Sequence, residues 1–144
     1  MKYIFLIVLL QILALTYCKN ILTAKWVNEL GSEVDIKAQQ SVNGVGLLTG
    51  IYYTKVSRIG EPIKSKLYGS YRFTTNKTAT LGFTVNWSFK RNNKKYYSVT
   101  SWSGLLKEDG RIHTTWVLTN NQKSDWNSTL INRNIFRKKV NINL

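Results

Sequence analysis

Leu81-Gly82-Phe83-Thr84-Val85-Asn86-Trp87-Ser88-Phe89 is the stretch whose reading decides the fold. Successive side chains of an extended chain point to opposite sides. Phe83, Val85, Trp87 and Phe89 therefore share one face, and Thr84, Asn86 and Ser88 share the other. A helix would scatter those aromatics around its axis, whereas a strand gathers them into one apolar face. The run from Ile112 to Leu118 repeats the pattern, with Ile112, Thr114, Trp116 and Leu118 on one side.

Outward from these two strands, turn signals recur at short spacing: Gly31-Ser32, Asn43-Gly44-Val45-Gly46, Gly60-Glu61-Pro62, Asn92-Asn93, Glu108-Asp109-Gly110 and Asn120-Asn121. Between them lie about eight segments rich in β-branched and aromatic residues, near 24–30, 33–40, 46–55, 63–73, 80–90, 95–104, 111–119 and 128–137. None carries a sustained helical period. Short strands joined by tight turns imply an all-β domain, either a sandwich or an up-and-down barrel.

The inner faces are not purely apolar. Trp26, Asn28 and Leu30 align in the first strand; Leu48, Gly50, Tyr52 and Thr54 in the third; Ser98, Thr100 and Trp102 in the sixth. Buried hydroxyls and amides cost free energy unless they find partners. A bound polar ligand would supply partners, and an eight-stranded barrel has an interior wide enough for one small molecule. Trp26 itself reads as core at the barrel bottom.

The chain has 144 residues, enough for one domain, with 43% hydrophobic residues to build a core. Lys2 precedes an apolar run from Tyr3 to Leu10, resumed from Ile12 to Leu15 and followed by Thr16 and Cys18. This is the layout of a secretory signal peptide over 1–18, too short for a membrane span, which takes about 20 apolar residues. Tyr17 before Cys18 makes a lipid-attachment site a poor match. The mature domain would then run from 19 to 144, be secreted, and contain no cysteine, because Cys18 is the only one.

The net charge of +14 favours anionic surfaces in general without naming nucleic acid. A stacking groove for single strands would interleave aromatics and lysines, but here the tryptophans fall on inner faces and most lysines in turns or outside. Catalysis lacks material. The seven acidic residues sit mostly at turns or strand ends, and His113, the sole histidine, faces away from Trp116. No enzyme activity, metal or cofactor is expected. Sequons occur at Asn76, Asn86 and Asn127. Asn76, in a loop, is the expected glycan site, and Asn86, within a strand, is expected to be occluded.

Several pieces together resemble the avidin and streptavidin family of biotin-binding proteins. They are Lys25-Trp26-Val27-Asn28-Glu29-Leu30-Gly31-Ser32, Leu48-Thr49-Gly50-Ile51-Tyr52, Leu81 to Trp87, Thr100-Ser101-Trp102-Ser103-Gly104, Thr115-Trp116-Val117-Leu118 and Trp126-Asn127-Ser128-Thr129-Leu130. The resemblance runs from about Leu22 to Phe136 and implies an eight-stranded antiparallel up-and-down β-barrel that binds biotin without chemistry. By the same resemblance, Asn28, Ser32 and Tyr52 match the donors to the ureido oxygen, and Thr54 and Asn134 the acceptors for the ureido N–H groups. Asn134 follows the avidin choice; streptavidin has an aspartate there. Thr100 matches the hydroxyl near the thioether sulfur. Trp87, Trp102 and Trp116 with Leu118 match the apolar wall.

Ser98, with Ser57 and Arg58 in the loop after the third strand, falls at the carboxylate end. Trp126 matches a residue that a neighbouring subunit contributes, so a homo-oligomer is implied. A tetramer is the family expectation. Arg133 stands where the family often carries an apolar side chain at an interface, which leaves a dimer open. An avidin-like barrel for a different small ligand, and a cationic secreted protein that binds anionic surfaces, remain as alternatives. Sequestering biotin from microbes or consumers is what the resemblance suggests for its purpose.

Overall fold

The computed structural model describes residues 20–40, 43–57, 60–121 and 127–140. The expected signal peptide over 1–18 lies outside them, as do Arg58 and Trp126. Eight strands follow in order: β1 Ala24–Asn28, β2 Glu33–Gln39, β3 Gly46–Thr54, β4 Ile63–Phe73, β5 Ala79–Arg91, β6 Lys94–Leu106, β7 Ile112–Asn120 and β8 Thr129–Lys138. Each pairs antiparallel with the next, and β8 returns to β1, which closes the barrel. Closure is the physical reason such a sheet needs no protected edge.

The register carries the alternation around the barrel. Leu67, Val85, Thr100 and Leu118 face one another in sequence across β4 to β7, so inward positions meet inward positions. The longest ladder, β5 with β6, is thirteen pairs from Ala79↔Leu106 to Arg91↔Lys94. Its turn is only Asn92-Asn93, both at positive φ (48° and 60°). That is the conformation of a two-residue hairpin turn matched to strand twist, and asparagine tolerates it better than other side chains. The expected strands near 80–90 and 95–104 leave Arg91 and Lys94 to the connection; the structure instead carries both into the ladder as partners.

One end of the barrel is packed solid. Leu22, Trp26, Ile36, Leu48, Leu106 and Ile112 are essentially inaccessible there. Trp26, as the sequence implies, is core: its indole N–H donates to the Leu22 carbonyl at 3.0 Å, and Lys138 lies over its ring at 5.5 Å. Burial of side chains this size contributes roughly 1.5–3 kcal/mol each.

The outer face corrects one expectation. Asn86 is exposed, not occluded, because its place opposite Val85 and Trp87 turns it to the outside of β5. The hydrogen bond made there, from Ser65 Oγ at 2.5 Å, uses the Asn86 backbone carbonyl and leaves the amide side chain outward.

Gly69 shows how tightly β4 and β5 approach. A Cβ at that position would lie 2.0 Å from the Gly82 carbonyl oxygen and 2.7 Å from Phe83 Cα, both backbone atoms that cannot swing aside. Gly69→Ala is expected to destabilise the barrel by about 2 kcal/mol or more, read as a melting temperature lowered by roughly 5–10 °C.

Candidate functional site

At the end opposite the packed floor the barrel opens into a cavity of about 530 Å³, within the size range of small-molecule sites. Its deep wall is polar, and the β1–β2 corner builds it. The chain turns at Gly31 (φ 76°), where the Gly31 N–H donates to the Asn28 carbonyl at 3.0 Å. Asn28 Oδ1 accepts from Leu30 N at 3.1 Å and from Ser32 N at 2.9 Å. Both lone pairs are thus engaged by the loop, and the amide must present its Nδ2 donor to the interior. That nitrogen lies 3.5 Å from Tyr52 Oη.

Tyr52 is 3% exposed. Burial, reinforced by the negative charge of Glu29, pushes its phenol well above the ordinary range, while a hydrogen bond with Ser32 opposes the shift. The group stays protonated and remains a donor. Ser32 Oγ accepts from Lys55 N at 3.2 Å and meets Thr54 Oγ1 at 3.4 Å. Thr54 donates its proton to the Val56 carbonyl at 3.0 Å and accepts from Val56 N at 3.2 Å. With that proton committed, Ser32 is the donor of the long contact, a weak bond that a better acceptor would replace. Asn28, Ser32 and Tyr52 therefore stand together as donors, with Thr54 as an oriented acceptor beside them.

Asn134, buried on β8, sits across the same end. Its Nδ2 donates to Glu29 Oε1 at 2.9 Å, which leaves Oδ1 as its acceptor.

The side wall is aromatic. Tyr52 stacks on Trp102 at 4.8 Å and meets the edge of Trp87 at 5.6 Å, and Trp102 stacks in turn on Phe83 at 5.0 Å. Trp87 Nε1 donates to Thr100 Oγ1 at 2.9 Å, which fixes the ring and leaves the Thr100 hydrogen to point elsewhere. Trp116 and Leu118, half-buried on β7, complete this wall. The indole N–H groups of Trp102 and Trp116 are buried without a partner.

Towards the mouth the cavity is lined by Ser57 and Ser98. Ser57 Oγ donates to the Glu61 carbonyl, which secures the described part of the loop after β3. Sequence reading missed several mouth residues: Phe89 and Tyr96, stacked at 5.2 Å, then Asn120, Asn121 and Leu130. Alternation alone would have found Phe89 and Asn120, since each continues an inward face already identified. Every sequence-predicted site residue among those described lines this cavity; Arg58 and Trp126 fall outside the described residues.

Chemically, the site is an array of fixed donors and acceptors over an aromatic wall. Among the described residues no group of three or more His, Cys, Asp or Glu could hold a metal ion. His113 lies on the outer face of β7, paired in register with Leu105 and Ile135 and away from the cavity.

The Avidin family model matches residues 16–139. Avidin of Gallus gallus is 36% identical over 126 residues, which cover 81% of this chain and 77% of avidin. Avidin-related protein 4/5 of Gallus gallus is 34% identical, with 81% and 77% covered. Among solved structures, Xenavidin is 32% identical with a TM-score of 0.63, covering 85% of this chain and 98% of its own. A biotin binding protein from chicken is 27% identical with a TM-score of 0.62 and the same coverage.

The protonation of Tyr52 can be checked without a ligand. A folded-state pKa raised above the ordinary 10.0 means that its contribution to stability is intact below that pH and is lost as pH rises beyond it. Phenolate absorbance should therefore show the same number of tyrosines ionising near their ordinary pKa in the wild type and in Tyr52→Phe. The two proteins should differ only where alkali unfolds the barrel.

Proposed function

The chain belongs to the avidin family, and from that premise we propose that it is a secreted protein that captures biotin in the barrel cavity. The observation that carries the reading is the cluster of Asn28, Ser32 and Tyr52, each locked as a donor by its own neighbours, at one end of a tryptophan-walled cavity. A ureido oxygen placed among them would receive three hydrogen bonds in a dry site, where such bonds are strongest. Thr54 and Asn134 would accept the two ureido N–H groups. Avidin-family proteins are non-catalytic and need no cofactor, and here the arrangement would only hold its ligand.

The bicyclic ring would lie against Trp87, Trp102 and Trp116, with Thr100 near the sulfur and Leu118 along the aliphatic chain. Tryptophan suits this wall because it buries a large rigid surface at small entropic cost. Ser57 and Ser98 would face the carboxylate. Because the polar groups are oriented by the protein before binding, little ordering cost remains when the ligand enters.

Three further parts complete the proposal. Residues 1–18 act as the secretory leader. Asn76, exposed in the β4–β5 turn, carries a glycan where the host attaches one. The protein assembles as a homo-oligomer, tetramer or dimer, in which Trp126 closes a neighbour's cavity. Apolar side chains on the outer face support the assembly: Val117, Ile131 and Ile135 are all exposed around Arg133, and Ile131 is 67% accessible. A surface of that kind marks an interaction site more often than bare solvent contact.

Biotin should quench or blue-shift the tryptophan fluorescence with saturation at or below micromolar concentration, and desthiobiotin should do so more weakly. No spectral change at micromolar biotin would refute the functional reading. Tyr52→Phe should weaken binding by roughly tenfold to a hundredfold through the lost donor. Trp126→Lys should reduce both biotin retention and oligomer mass by light scattering, and an unchanged assembly would contradict the shared cavity. Mass spectrometry of the secreted product should place its N-terminus near Lys19.

A further inference from the structure

The β1–β8 seam is the shortest ladder in the barrel, with three register pairs from Trp26↔Lys138 to Asn28↔Phe136. β1 stops at Asn28 because the chain must turn there to place Ser32. On β8 this leaves the backbone N–H of Ile135 beyond the end of its partner strand. Glu29, the residue that would continue the ladder, fills the gap with its side chain. Its Oε2 accepts from Ile135 N at 3.0 Å, while Oε1 accepts from Asn134 Nδ2 at 2.9 Å.

We propose that Glu29 is a positioning residue for the ligand: its carboxylate fixes which end of the Asn134 amide faces the cavity and polarises that amide as an acceptor. The proposal rests on the reading of Asn134 as an acceptor for a ligand N–H. A primary amide has a donor end and an acceptor end of nearly equal shape, and only its partners decide which points where. An ionised carboxylate can only accept, so it holds Nδ2 and turns Oδ1 towards the cavity. The negative charge behind Nδ2 also polarises the amide, a cooperative strengthening of the acceptor at the far end.

Protonation would reverse the logic. A carboxylic acid offers a proton to Asn134, favours the flipped amide, and sets an N–H against the ligand's own N–H. Burial pushes the Glu29 carboxyl upward, but hydrogen bonds from Asn134, from its own backbone and from Ile135 outweigh it, and the group lies below the ordinary 4.5. Its contribution is therefore complete above that value and is lost as pH falls through the lowered one. Among neighbouring titratable and charged groups, Tyr52 on β3 senses the Glu29 charge. His113 on β7 and Arg133 and Arg137 on β8 alternate outward with Ile135. The two ion pairs among the described residues, Arg111–Asp109 and Lys139–Glu33, do not involve Glu29.

Two measurements test this. In ligand-free protein, the side-chain amide resonance of Asn134, assigned by its loss in Asn134→Ala, should shift on acidification below 4.5 and should not do so in Glu29→Gln. An amide that stays unmoved in the wild type overturns the proposal, whatever the ligand is. In the second measurement, the biotin dissociation rate of the wild type should rise in the same acidic window. Glu29→Gln should release biotin about tenfold faster at neutral pH, with a flat profile through that window and an unchanged fold by circular dichroism. If Glu29→Gln matches the wild type in rate and acid slope, the positioning role is refuted while biotin capture stands. If the wild type takes up no biotin, the functional reading fails, and the Asn134 titration alone decides the role of Glu29.

Discussion

The stack of Tyr52 on Trp102 on Phe83 organises the molecule. It ties β3, β5 and β6 across the interior and separates two regimes of packing. On one side, aliphatic side chains and Trp26 fill the barrel completely. On the other the interior stays open, and Tyr52 and Trp102 of the stack form part of its side wall. Because the Tyr52 ring is clamped by Trp102 beneath and by Trp87 and Phe136 at its edges, its hydroxyl has one place to be. A cavity whose wall is this rigid keeps its shape when empty, which follows from the close packing of protein interiors.

Rigid walls alone would leave polar atoms stranded, and the structure resolves that cost locally. Asn28 satisfies its oxygen on the loop it caps, Thr54 closes a small ring with Val56, and Trp87 satisfies its N–H on Thr100. Each bond removes one degree of freedom and leaves one specific atom facing the cavity. The same bonds that offset burial thus select which donors and acceptors a ligand meets. Of the buried side-chain atoms left without a partner among the described residues, the Trp102 and Trp116 indole N–H groups lie on the wall itself, Asn120 Oδ1 lies near the mouth, and His113 Nε2 lies on the outer face of β7.

Much of this was legible because period-two alternation is a local signal. Phe83, Val85 and Trp87 announce both the strand and its inner face, and the eight strands emerge with boundaries shifted by only a few residues. What alternation cannot report is how far a ladder extends. Arg91 and Lys94 fall between the expected strands, yet the Asn92-Asn93 turn needs only two residues, so both stay in the sheet. Outward exposure of Asn86 also follows from alternation, and the expectation of occlusion treated strand membership as burial. Glu29 escaped notice for a different reason. A carboxylate at a turn looks like ordinary solvated charge, and only the three-dimensional meeting of residues 105 and 106 positions apart in sequence reveals its partners.

That meeting joins stability to function. The barrel is closed by the β1–β8 seam, and Glu29 sits at the seam's open end with one oxygen on the backbone of β8 and the other on a cavity side chain. A ligand that engages Asn28 on β1 and Asn134 on β8 would bridge the same gap from inside. Binding and seam closure then favour each other by linkage, since whatever binds only the closed barrel stabilises it. With a single cysteine in the chain, no internal disulfide can staple the barrel, and this coupling places the ligand's contribution at the ladder with the fewest backbone pairs. The turn that shortens β1 is the one that creates the Asn28–Ser32 corner. The barrel's weakest ladder is therefore a direct consequence of building the site.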